Sequence, residues 1–77
     1  MLEELIKYVS VYQNIPENSI TKDTHLVKDL GMSSLDMMEL ACSVEEQFGI
    51  EFDEDDLIDL LTIEKIANYV EKELRGE

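Results

Sequence analysis

The feature that most constrains this chain is an apolar register set between two glycines. After Gly31 the sequence reads Met32-Ser33-Ser34-Leu35-Asp36-Met37-Met38-Glu39-Leu40, and it runs on to Phe48 before Gly49. Winding from Ser34 at about 100° per residue puts Met37, Leu40, Ala41, Val44 and Phe48 on one face. That is the spacing of a helical core stripe. Leu35, Met38 and Cys42 fall instead on a second face, with Ser34, Glu39, Glu45 and Glu46. A helix that only covers a core needs no second apolar strip. The spacing therefore predicts a helix from about Ser34 to Phe48, with a core side and a mixed apolar and acidic side headed by a serine.

The remainder of the chain is helical in the same way. Leu2 to Tyr12 reads as a first helix, with Leu2, Leu5, Ile6 and Val9 inward and Glu3, Glu4 and Lys7 solvated. Gln13 to Lys28 is a long connection. A loop of that length needs anchors or a function. Ile15, Ile20 and Leu26 are the anchors, and Pro16 suits the start of a short turn. Leu26 to Leu30 is expected to form a turn of helix that Gly31 stops. Past Gly49, Ile50 and Phe52 bring the chain back over the core. Asp53 caps a short third helix running to about Leu60. Thr62 caps a fourth, from Ile63 to about Leu74, with Ile63, Ile66, Ala67, Val70 and Leu74 inward and Lys72 and Arg75 suiting its C-terminal dipole. No strand pattern, repeat or low-complexity segment interrupts this. The expectation is an all-α four-helix bundle over residues 1–77, one domain with three longer helices, a short third helix and a long first loop.

A chain of 77 residues builds only a small core. It also carries a formal charge of −13, from 19 acids and 6 bases. Nucleic-acid binding wants a basic footprint and is excluded. Basic partner surfaces and long-range steering are what the charge favours. Twelve Asp and Glu lie between Lys28 and Lys65 with no basic residue among them, so the segment holding the serine helix has no internal counter-charge. It is either an ordinary solvated face or a docking surface, and the serine helix within it favours docking. No apolar run is long enough to span a membrane. One cysteine permits no intrachain disulfide and fits a reducing compartment, so a cytoplasmic monomer is expected.

No catalytic apparatus is visible. His25 stands alone in a loop, as a surface or packing residue. Cys42 has no partner at zinc-ligand spacing, and its acidic neighbours disfavour a thiolate. Asp53 to Glu64 has the length of a calcium loop, but Leu57 and Ile58 occupy the places that require an oxygen ligand and a glycine. No metal site is expected. Met37 belongs to the core and Met38 to the interface, while Met32 fits either. Ser33 is a good N-cap, with Asp36 three residues on as an approximate capping box. Ser34 then occupies the first helical turn, where free N–H groups and the positive end of the dipole favour an anion. Two readings follow: the serines are merely a cap, or a phosphate sits on Ser34.

The run Gly31-Met32-Ser33-Ser34-Leu35-Asp36, continued by Met38-Glu39-Leu40, resembles the attachment motif of acyl carrier proteins, Gly-x-Asp-Ser-Leu-Asp followed by a Val-Glu-Leu-like stretch. Leu35, Asp36, Glu39 and Leu40 match as they stand. Ser33 departs, since the family usually has Asp there. This removes a negative charge beside the site and sets a second hydroxyl next to the first. The similarity extends to Asp29-Leu30-Gly31 before the motif, to Glu45-Glu46-x-Phe48 after it, and to Asp53-Glu54-Asp55-Asp56.

The resemblance implies that Ser34 receives 4′-phosphopantetheine from coenzyme A, through a phosphopantetheinyl transferase that uses magnesium. It implies a carrier rather than an enzyme. The arm holds an acyl chain as a thioester, and a core of Leu, Ile, Met and Val can open to admit that chain. Leu35, Asp36, Met38, Glu39, Cys42, Glu45 and Glu46 are the expected docking residues for the transferase and for acyl-processing enzymes with basic patches. Fatty acid synthesis is the leading assignment. The alternatives are a polyketide carrier, a D-alanyl or peptidyl carrier, and an acidic helical adaptor that never carries a prosthetic group.

Overall fold

In the computed structural model, residues 1–57 and 59–76 are described, the Glu54 side chain excepted. Leu2–Gln13 forms the first helix, α1, one residue longer than its sequence pattern predicted. Leu5 and Val9 on its inner face are fully buried, with Leu2, Ile6 and Tyr8 packed beside them. Asn14 ends it at φ 56°, ψ 48°. Asparagine is among the few residues that tolerate this left-handed conformation.

The long connection is pinned as expected. Ile20 and Leu26 are buried, and Ile15 packs against the core. Pro16 precedes a single 3-10 turn, Glu17–Ser19. The loop is then stitched to a distant segment. The Leu26 N–H donates to the Leu61 carbonyl at 2.8 Å, and the Ile63 N–H donates to the Thr24 carbonyl at 3.2 Å. These bonds flank one antiparallel bridge between His25 and Thr62.

Residues 26–30 correct the sequence reading, since they form hydrogen-bonded turns and no helix. The His25 carbonyl accepts from both the Asp29 and the Leu30 N–H, at 2.9 and 3.2 Å. That shared acceptor breaks the regular i to i−4 ladder. Gly31 stops the winding at φ 65°, and Met32 turns inward and is buried.

Helix α2, Ser34–Phe48, has the predicted bounds, with Ser33 as N-cap and Gly49 as left-handed C-cap at φ 71°. Leu40, Ala41 and Val44 are buried, while Met37 and Phe48 are half-buried at the two ends of the stripe. Beyond it Ile50 is buried, and Phe52 stacks on Tyr69 with ring centroids 5.0 Å apart.

Helix α3 is Glu54–Leu57. It starts where expected, with Asp53 Oδ1 accepting from the Asp55 N–H at 3.0 Å. It ends earlier than the predicted Leu60. The Asp59 and Leu60 N–H groups close on the carbonyls three residues back, at 3.0 and 3.2 Å, which tightens the chain into a turn. Ile58, which figured in the calcium-loop comparison, lies outside the described residues.

Helix α4, Ile63–Leu74, begins at Thr62, whose hydroxyl accepts from the Lys65 N–H at 3.3 Å. Ile63, Ile66, Ala67 and Val70 are buried. Leu74 is a second correction. It has the right angle for the stripe but is 52% exposed, because the last turn of α4 extends past the core that ends at Val70. Helix α1 packs on α4. Loop residues and all four helices meet in one apolar cluster, to which Leu57 of α3 contributes from its edge. The described residues thus form an all-α arrangement of four helices, the third of them short.

Candidate functional site

The start of α2 is closed by a reciprocal cap. Ser33 Oγ accepts from the Asp36 N–H at 3.2 Å, and the Asp36 carboxylate accepts from the Ser33 N–H at 3.0 Å. The Met37 N–H donates to the Ser33 carbonyl at 3.0 Å. Four N–H groups at a helix start lack an intrahelical partner. Here the two not taken up, among the described residues, are those of Ser34 and Leu35. They lie at the positive end of a 15-residue helix. The Ser33 N–H, and after it the Ser33 side chain, hold the Asp36 carboxyl below its ordinary value, against a small opposing effect of desolvation.

Ser34 is exposed and borders a groove of about 520 Å³. Val27 of the long loop forms one wall. Met37 and Met38 of α2 form a second, and Leu57 and Leu61 a third, with Asp55 at the rim. The lining is mostly apolar. Met37 and Leu57 also face a crevice among Leu26, Leu40 and Leu60, and that crevice holds only about 10 Å³. The core beneath the groove is filled. The serine is therefore the polar mouth of an apolar furrow whose floor is closed side-chain packing.

The second face of α2 is only partly as the helical angles suggested. Leu35 is 65% exposed and Met38 56% exposed. Glu39, Cys42 and Glu46 are exposed beside them. Glu45 stands apart, half-buried, with Oε2 accepting from the Phe52 N–H at 2.7 Å. It ties the end of α2 to the returning chain. Asp36 is likewise engaged at the cap. The structure thus brings five of the seven predicted docking residues together at the surface with their side chains uncommitted, and gives the other two intrachain work. Among the described residues, no group of three His, Cys, Asp or Glu is placed to hold a metal ion. Among them also, no helix is long and apolar enough to cross a membrane.

Residues 3–70 match the family described as "Phosphopantetheine attachment site". The chain is 32% identical over 72 residues to the acyl carrier protein of Thermobifida fusca, covering 94% of this chain and 91% of that one. It is 35% identical over 66 residues to the acyl carrier protein of Thermotoga maritima, covering 86% and 82%. It is 34% identical over 74 residues to that of Coprothermobacter proteolyticus, covering 96% and 90%. The chain belongs to the acyl carrier protein family. It is a carrier and not a catalyst, and its prosthetic group is 4′-phosphopantetheine.

The residues of the carrier fit that group. Its phosphodiester needs an exposed hydroxyl and nearby donors, and Ser34 Oγ with the Ser34 and Leu35 N–H groups offers both. Its largely uncharged arm needs a furrow with some polar edge, which the groove between Val27 and Met38 supplies.

Two features of the carrier's fold were missed by periodicity. His25 is the first. Its Nδ1 accepts from the Val27 and Lys28 N–H groups at 3.2 and 3.0 Å, so it builds the turn that presents Val27 to the groove. Asp29, four residues on, was the available signal, because its carboxylate accepts from the His25 N–H at 2.7 Å. Tyr69 is the second. Its hydroxyl accepts from the Asp53 N–H at 3.2 Å, and burial pushes its own titration up. Nothing local in the sequence couples Tyr69 to residue 53.

Proposed function

We propose that Ser34 is the residue that carries the phosphopantetheine arm, transferred from coenzyme A by a phosphopantetheinyl transferase. The observation that carries this reading is the position of Ser34 Oγ, exposed at the one point where the dipole end of α2 meets the apolar groove. Ser33, the neighbouring hydroxyl, already accepts from the Asp36 N–H as the helix cap. When bound, the arm supplies a terminal thiol that holds an acyl group as a thioester, the activated form for transfer. The chain's own residues bind and orient. The two N–H groups meet the phosphate, and Val27, Met37, Met38 and Leu61 guide the arm along the surface.

The cargo in this reading is an acyl chain, and the pathway is fatty acid synthesis. The similar carriers are acyl carrier proteins, which supports an acyl cargo. Leu35, Met38, Glu39, Cys42 and Glu46 form the face that meets basic partner enzymes, with Glu45 and Asp36 holding its shape. Residues 1–77 act as one carrier domain, supported by the apolar cluster that the four helices share among the described residues. The exposed Cys42 thiol and the charge of −13 support a monomer in the reducing cytoplasm.

The test is intact mass after incubation with coenzyme A, magnesium and a broad-specificity transferase, followed by peptide mapping. Gain of one arm on Ser34 supports the reading. No gain returns the chain to a non-modified adaptor, and an arm on Ser33 displaces the site by one residue.

A further inference from the structure

The segment leading into α2 is wound around a side chain that the carrier reading does not use. His25 Nδ1 accepts from two backbone donors, Val27 and Lys28, and Asp29 closes the other side by accepting from the His25 N–H. The His25 carbonyl takes the Asp29 and Leu30 N–H groups. One residue therefore organises the whole 25–30 turn. What the turn carries is Leu26, fully buried in the core, and Val27, 43% exposed and forming the groove wall beside Ser34. His25 itself is half-buried, so protons reach it from solvent.

An imidazole nitrogen accepts only while it is unprotonated, and both ring nitrogens of the cation are donors. With its proton on Nε2, neutral His25 satisfies two backbone N–H groups at once. The cation would point a third donor at those two. Asp29 is committed to the His25 N–H, and Lys28 on the same turn is a like charge. Across the bridge to Thr62, Glu64 is paired with Lys22 at 3.7 Å, and Asp23 is paired with the same lysine at 3.5 Å. A ring that leaves the turn gains water and an approach to Asp29.

We propose that His25 is a positioning residue for the groove wall beside Ser34, and that its protonation releases the 25–30 turn and frees Val27 from the wall. The carrier then has a tight groove at neutral pH and a loosened one in mild acid. What this means for the arm rests on the Ser34 attachment proposed above, whereas the clasp itself does not.

The experiment uses the unmodified full chain, isotopically labelled, from about pH 7.5 to about pH 5.5. That window spans ordinary histidine titration and stays above the ordinary carboxylate range. Hydrogen exchange of the Val27 and Lys28 amides reports the clasp, and the Val27 and Met37 methyl resonances report the groove. The comparison variant is His25→Asn, whose amide oxygen accepts at the place of Nδ1 and does not titrate. After correction for intrinsic exchange, protection of both amides is expected to fall about tenfold in the wild type and to hold within about twofold in the variant. The methyl shifts should follow the same midpoint in the wild type alone. Equal protection across the window in the wild type, or the same pH response in His25→Asn, overturns the proposal. Should that variant not fold, the ring nitrogens of the wild type are titrated directly. A midpoint shared with the Val27 amide supports the clasp, and separate midpoints overturn it. Either result leaves the mass-mapping test of Ser34 untouched.

Discussion

Ser33 and Asp36 cap one another: each side chain accepts from the other residue's backbone N–H, at 3.2 and 3.0 Å. That closed pair fixes the first turn of α2, and Ser34 is the hydroxyl it leaves outward. The two serines therefore have separable duties. Ser34→Ala should leave the fold intact and abolish attachment of the arm. Ser33→Ala should lose about 1 kcal/mol of stability and still accept it. Intact mass and denaturant unfolding of the two variants check both halves.

The same pair makes part of the stability depend on pH. The Ser33 hydrogen bonds lower the Asp36 carboxyl in the folded state. A lowered folded value means that the contribution is fully present above the unfolded value of about 4, and is lost as pH falls through the folded one. Wild type should exceed Asp36→Ala in stability at neutral pH, and the gap should close toward about pH 3. Urea midpoints measured at both ends of the range test this. A gap of the same size at both would place the benefit of Asp36 outside its charge.

Docking should separate by residue type along α2. Glu39→Lys with Glu46→Lys should slow modification by the transferase and flatten its salt dependence, because exposed charges act mainly on encounter. Met38→Ala should act mainly on dissociation, because it removes an apolar anchor. Glu45→Gln should behave differently from both. It weakens the bond to the Phe52 N–H and should lower thermal stability more than it changes the encounter rate. Transferase kinetics across a salt series, with circular dichroism on each variant, give the answer. Folded Glu39 and Glu46 variants modified at the wild-type rate at every salt concentration would remove the docking face.

With −13 of formal charge on 77 residues, self-repulsion should weaken the fold at low ionic strength. Added salt or magnesium should raise the Tm by screening and neutralising the stretch between Lys28 and Lys65. A Tm scan against both salts checks it. A Tm indifferent to both would show that the acids are spaced too widely to repel.

Helix α2 was legible in the sequence to the residue at each end, because everything that bounds it is local. The cap lies three residues from its partner, the stripe repeats every three or four residues, and Gly49 supplies the left-handed stop. Thr62 and α4 were legible for the same reason. Sequence also singled out Ser34 and its outward neighbours Leu35 and Met38, since a helical angle needs no knowledge of the rest of the fold. Angle alone did not decide which outward positions stay free. Glu45 shares the angle of Met38, yet its carboxylate meets a backbone N–H seven residues on. Leu74 shares the angle of Val70, yet the core ends before it. The groove beside Ser34 belongs wholly to the tertiary structure. Its Val27 wall depends on the turn organised by His25, and on the bond from the Leu26 N–H to Leu61 across the bundle. Periodicity fixes which way a side chain leaves its own helix. What it then meets is set by segments that only folding brings near, and there a single hydrogen bond outweighs the pattern.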